Sequence, residues 1–218
     1  MTRLWTRRGV LVASGGAVAS GLAACTGGGA HPAPTTGPPT PSVAPTTTTL
    51  AGDLAVATLA ASLENSIVAA YAAATELLNG GKLGVVPAAV ALLVQTMESH
   101  HRDHATAWNA MLTAVGGPVV TGIDATFSSA VVQPGIAALR DTAGLLALAQ
   151  QLERAAAGTY LDAILHRLTT TDATETAAAI QPVEMQHLAV LAMLAGSSPA
   201  PDSFATTAGA RPTGDQSG

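Results

Sequence analysis

A single cysteine among 218 residues excludes an intramolecular disulfide and any cysteine-rich metal knuckle. Aromatic residues make up 3% of the chain and charged residues 11%. Scarce aromatics and abundant alanine favour closely packed helices over a β-sandwich. Basic charge is short too, with 9 Lys and Arg against 14 Asp and Glu. Three of those nine, Arg3, Arg7 and Arg8, lie at the extreme N-terminus, so residues 25–218 carry 6 basic against 14 acidic side chains, a net of −8. No basic patch remains, and nucleic acid is not an expected partner. What the chain does have is apolar residues, at 48%, and a length that suits one globular domain with extra chain beside it.

The extra chain sits at the ends. Residues 1–24 read as an export signal: three arginines, then an apolar Gly/Ala-rich run from Val10 to Ala24. Thr6-Arg7-Arg8-Gly9-Val10-Leu11 resembles a twin-arginine signal. Leu22-Ala23-Ala24-Cys25 resembles a bacterial lipobox, whose cysteine is lipidated and becomes the new N-terminus. An uncleaved anchor helix is the alternative, but the run falls short of the ~20 residues that a span requires. The expected location is therefore the outer face of the cell membrane, with a lipid anchor at Cys25 and export by the twin-arginine or the general secretory route. Residues 25–51, rich in Pro, Thr and Gly, form a linker that cannot bury enough surface to offset its ordering entropy.

Between the ends the apolar residues recur with helical period. Four helices are expected, over about 53–79, 87–115, 141–168 and 172–195. Asp53 serves as a first N-cap, Gly80-Gly81 as a stop, and Pro182 as a kink inside the fourth helix. Residues 116–139 carry Gly, Pro and Ser without a strong helical period. They read as one long crossover between helices 2 and 3 of an all-α four-helix bundle over 52–195. Residues 196–218 return to Ser, Pro, Gly and Thr, the composition of a disordered tail.

Two short patterns repeat inside the helices. Gln95-x-x-Glu98-x-x-His101 returns as Gln181-x-x-Glu184-x-x-His187. Leu63-Glu64 with Tyr71 seven residues on returns as Leu152-Glu153 with Tyr160. In chain order this is Glu64, then Glu98 with His101, then Glu153, then Glu184 with His187. A four-helix bundle needs that order to hold two divalent ions between its helices. Residues i and i+3 share a helix face, so each Glu-x-x-His can grip one centre. Oxygen and imidazole donors suit iron or manganese rather than a thiolate-seeking ion. Two dications against four carboxylates would leave the site near neutral, as a buried core requires. Tyr71, Tyr160, Gln95 and Gln181 are the candidates to orient those carboxylates by hydrogen bonds, although buried tyrosines also serve as plain core packing. Inner Glu and His that pair with one another without metal are the other reading of the whole set. His100 is expected in solvent, and His104 at the rim rather than as an accessory ligand.

These residues resemble the ferritin-like superfamily of di-iron and di-manganese carboxylate proteins, and within it the exported ferritin-like domains of actinobacteria. The resemblance spans about residues 52–195. It implies metal roles for Glu64, Glu98, His101, Glu153, Glu184 and His187, and redox chemistry with oxygen or peroxide, or metal handling. It also implies an internal two-fold duplication, which the repeats match. Pairing of two copies is a further expectation. There is no Cys-x-x-Cys for a rubredoxin-type electron donor. The alternative from a different class is a non-enzymatic envelope lipoprotein that binds a partner or serves as a structural module.

Overall fold

The structure, a computed structural model, describes residues 47–212. The export signal, Cys25 and the linker as far as residue 46 lie outside the described residues. Four long helices dominate: α1 (Thr47–Asn79), α2 (Ala88–Ala114), α5 (Thr142–His166) and α6 (Thr171–Leu194). Between α2 and α5 the crossover contains α3 (Ala125–Phe127), a π-helical turn (Ser128–Val132) and α4 (Gln133–Ala138). No strand occurs among the described residues. Short turns join α1 to α2 and α5 to α6 as two helical hairpins. The hairpins meet α1 against α5 and α2 against α6, closing a four-helix ring.

Alanine makes this packing tight. Ala57, Ala60, Ala61, Ala70 and Ala74 of α1 are at most 1% exposed, as are Ala149 and Ala156 of α5. Small side chains let the helix axes approach, and Trp108, Leu63, Leu152 and Ile67 fill the remaining space with almost no exposure. Each large apolar side chain buried this way contributes about 1.5–3 kcal/mol relative to leaving it in water. The helix starts match the capping chemistry. Pro87 precedes α2, and the Asp141 carboxylate accepts the Gly144 N–H at 2.8 Å to cap α5.

Asp53 has a different role from the one its type suggests. α1 starts earlier, at Thr47, and Asp53 lies inside it at 1% exposure. Its carboxylate accepts the N–H groups of Thr169 (3.0 Å) and Thr170 (2.8 Å), together with both threonine hydroxyls. It therefore holds the turn before α6 from across the bundle, and serves a helix start that Thr170 does not cap with its own side chain. Burial alone would raise the pKa of Asp53, but these hydrogen bonds outweigh it and lower the value. The helix α6 remains one element through Pro182. Pro182 and Ala178 are both exposed, so water can serve the carbonyl that the missing N–H leaves free.

The crossover lacks a ladder of its own and borrows partners. The Asn65 amide donates to the carbonyls of Val120 (3.1 Å) and Gly122 (3.0 Å), and Asn109 exchanges two hydrogen bonds with Val120. The Asp124 N–H donates to the Ser62 carbonyl and to Ser66 Oγ, which pins the crossover along α1. The tail, read from composition as disordered, docks on the bundle near its described end. Arg211 pairs with Asp124, and its N–H donates to Thr159 Oγ1 at 2.8 Å. Gly158 makes room for it: a Cβ there would meet the Ala208 carbonyl oxygen at 2.8 Å.

Candidate metal centre

The two glutamates with a tyrosine two turns away come together at the centre of the ring. Glu64 on α1 and Glu153 on α5 are both fully buried. Seven residues make two turns, so Tyr71 and Tyr160 share the faces of Glu64 and Glu153. The hydrogen bonds nonetheless cross over. Tyr71 donates to Glu153, and Tyr160 donates to Glu64. Each tyrosine thus orients the carboxylate of the opposite hairpin. Trp108 extends one side only: its indole N–H donates to the Tyr160 oxygen at 3.0 Å, with the two rings parallel.

From α2 comes His101, fully buried between these carboxylates. Its Nδ1 is 2.5 Å from Glu64 and its Nε2 is 3.1 Å from Glu153. One turn on, His104 Nδ1 lies 2.9 Å from Glu184 Oε1 and 3.7 Å from Glu64. Helix α6 supplies Glu184, fully buried, and His187, whose Nδ1 donates to Glu153 at 2.8 Å. His187 Nε2 is 2.9 Å from His100 Nδ1, and the two rings stack. Ligand atoms of Glu64, His101, His104 and Glu184 all lie within 4.8 Å of one another, and so do those of His101, Glu153, Glu184 and His187.

Electrostatics divides these groups. Burial would lower the pKa of His101, but the carboxylates of Glu153, Glu184 and Glu64 outweigh it and raise the value well above the usual range. His187 behaves alike: its hydrogen bond to Glu153 and the Glu184 carboxylate 3.3 Å away overcome burial and lift it to about 9. For His100 burial and the neighbouring imidazoles lower the pKa, so it is the acceptor for His187. Burial would raise Glu153, but the imidazolium of His101 and its hydrogen bonds hold it well below the ordinary carboxylate range. Glu184 is the opposite case: burial dominates and raises it. Burial, with the carboxylates beside them, pushes both tyrosine hydroxyls well above their usual range.

Glu184 carries the test of fit. Both its carboxylate oxygens are buried without a hydrogen-bond partner, and so is His104 Nδ1, whose approach to Glu184 is close but not in hydrogen-bond geometry. Imidazoles of His101, His104 and His187 lie 2.9–3.8 Å from Glu184, but none satisfies its oxygens by a hydrogen bond, and a buried carboxylate left so is costly. Carboxylate and imidazole donors around such a group are what a divalent ion of the iron or manganese kind accepts. The residues fit a metal ion.

Five of the six residues expected to bind metal meet here: Glu64, His101, Glu153, Glu184 and His187. Glu98 does not. It lies at the edge of the core, 8% exposed, and pairs with Arg102 one turn along α2. Gln95 is exposed and Gln181 half-buried, and neither hydrogen-bonds to a carboxylate of the cluster. The reason is helix register: α2 turns the face one turn further along toward the centre. That turn brings in His104, expected at the rim, and half-buries His100, expected in solvent. The sequence signal for His104 is its spacing, since His101-x-x-His104 is itself an i, i+3 pair.

No curated protein and no solved structure matches the chain. A family model does, over residues 52–197, which covers all four long helices apart from the first residues of α1. With the four-helix ring and the Glu/His cluster at its centre, the chain belongs to the family of the ferritin-like domain.

Proposed function

We propose that this ferritin-like bundle binds a dinuclear centre of two divalent ions, iron or manganese, and uses it for oxidase- or peroxidase-type chemistry or for metal handling. The observation that carries the proposal is Glu184, a fully buried carboxylate with no hydrogen bond, facing imidazoles and carboxylates from the other three helices. Bound there, a pair of redox-active ions would exchange electrons with oxygen or peroxide. The chain itself holds the donors in place. Tyr71 and Tyr160 orient Glu153 and Glu64, and His187 is held against Glu153. The apolar ring around the cluster keeps bulk water from the carboxylates, which strengthens every charge interaction inside.

The protein would work at the outer face of the membrane, as the exported ferritin-like domains of actinobacteria are expected to. The arginines of residues 1–24 and the lipobox-like Leu22-Ala23-Ala24-Cys25 support that placement. Replacing Arg7 and Arg8 by Lys should abolish export by the twin-arginine route; unchanged export would sink that part of the reading.

One observation favours the second reading, a module without metal. His101 reaches Glu64 with one ring nitrogen and Glu153 with the other, so part of the polar core is satisfied by itself. Elemental analysis of the protein purified from cells without added metal decides between them. Near two iron or manganese per chain is the expected result. No metal, and none taken up anaerobically from Fe(II) or Mn(II), would leave a bundle with a polar core and favour the binding module.

A further inference from the structure

The two hairpins of the bundle repeat each other in burial. Leu59, Leu63, Ile67 and Ala74 of α1 correspond at a constant offset to Leu148, Leu152, Ala156 and Ala163 of α5, and all eight are buried. The same offset matches Glu64 with Glu153 and Tyr71 with Tyr160. For α2 and α6, Val90, Val94, Met97 and Trp108 correspond at one offset to Ala173, Ala177, Ile180 and Leu191, again all buried. At that offset the partners of Glu184 and His187 are His101 and His104. The repeated Gln-x-x-Glu-x-x-His uses a different offset, which sets Glu98 opposite Glu184. That register would place buried His104 opposite Val190, 41% exposed, and buried Trp108 opposite Leu194, 39% exposed. Burial decides for the first register.

We infer that α2 supplies the centre with His101 and His104 in place of a Glu-x-x-His pair. The centre then has three carboxylates and three imidazoles, and selects an imidazole-binding divalent ion such as Fe(II) over Mn(II). The inference rests on the proposed function and sharpens it. Glu184 would offer its two carboxylate oxygens to the centre. His101 stands in the equivalent place with one nitrogen toward Glu64 and the other toward Glu153, and a single imidazole nitrogen serves only one ion. Exchanging a carboxylate for an imidazole moves the donor set away from Mn(II), which prefers oxygen, toward iron, zinc, copper and nickel.

Anaerobic titration of the full chain with Fe(II), Mn(II) and the spectroscopic probe Co(II) tests this. His104→Gln should weaken Co(II) and Fe(II) binding by about tenfold or more, whereas Glu98→Gln should leave both within about twofold. His101→Glu restores a fourth carboxylate and should shrink the preference for Fe(II) over Mn(II) by about tenfold. Weakening by Glu98→Gln, binding unchanged by His104→Gln, or a preference unmoved by His101→Glu would overturn the inference. In each of those cases the wild type still binds metal, so the proposed function survives. Absence of uptake by the wild type would overturn both. A measurement on the unaltered protein guards against a variant that does not fold. Its Co(II) form should show three paramagnetically shifted imidazole N–H resonances, and two would overturn the inference.

Discussion

The hairpins α1–α2 and α5–α6 bury the same positions but place different chemistry on them. Glu64 and Glu153, and Tyr71 and Tyr160, are equivalent in type and in exposure. Where α6 has Glu184 and Leu191, α2 has His101 and Trp108. The difference runs down one side of the centre. Trp108 donates to Tyr160, which donates to Glu64, whereas at the equivalent place Leu191 can give Tyr71 no hydrogen bond. Packing constrains each position to be buried and of suitable volume, while the polar identity of a buried group is free to diverge if its partners diverge with it.

The strongest way to break the comparison is at Trp108. Trp108→Ala should cost about 3–5 kcal/mol of stability, through the cavity and the loss of the indole donor. Leu191→Ala at the equivalent place should cost less, about 2–3 kcal/mol, because no hydrogen bond is lost. Denaturant melts of the two variants check the order, and equal losses would count against the asymmetry. Chelation comes next. A metal bound only to the folded state at a hundredfold excess over its Kd stabilises by about 2.7 kcal/mol. Removing it should lower Tm by about 5–10 °C. In Glu184→Gln that dependence on chelator should vanish.

The tyrosines give a finer comparison. Tyr160→Phe strands the Trp108 N–H and takes the hydroxyl from Glu64, for a cost of about 1–3 kcal/mol. Tyr71→Phe leaves Glu153 its hydrogen bonds from His101 and His187, and should cost about 1 kcal/mol or less. Thermal melts of both metal-free variants would show the difference. The smallest effect is on pH. His187 is raised to about 9 in the folded protein, against an unfolded value of about 6.5. Its stabilising contribution is complete below pH 6.5 and is lost as pH rises through 9. Metal-free protein should therefore lose Tm as the pH rises across that window. His187→Gln should flatten the slope. Glu153 works in the opposite direction: its depressed pKa contributes stability above the ordinary carboxylate range that is lost only in acid.

The order of helices, the long crossover and the Glu64/Glu153 and Tyr71/Tyr160 pairs were legible in the sequence. The face that α2 turns toward the centre was not. Glu98, His101 and His104 follow one another at three-residue steps, and each step rotates about 60° short of a full turn. All three therefore lie within one broad stripe, and the repeated motif points to Glu98 and His101, whereas the assembled bundle brings His101 and His104 to the cluster. Asp53 differs from its expected role for a related reason: its type suits an N-cap, and it does serve a helix start, but one that is distant in sequence.

The sequence by itself determined what depends on local spacing. Apolar periodicity made the helices, glycine and proline ended them, and a separation of seven residues put a glutamate and a tyrosine on one face. The tertiary structure alone decided what depends on how far one helix slides and rotates against another. It set which turn of α2 faces Glu184, which tyrosine reaches which carboxylate, and that the chain beyond Gly196 returns to Asp124 through Arg211. Those choices arise from burying Trp108, Met97 and the alanine stripes together, and that is a property of the assembled core.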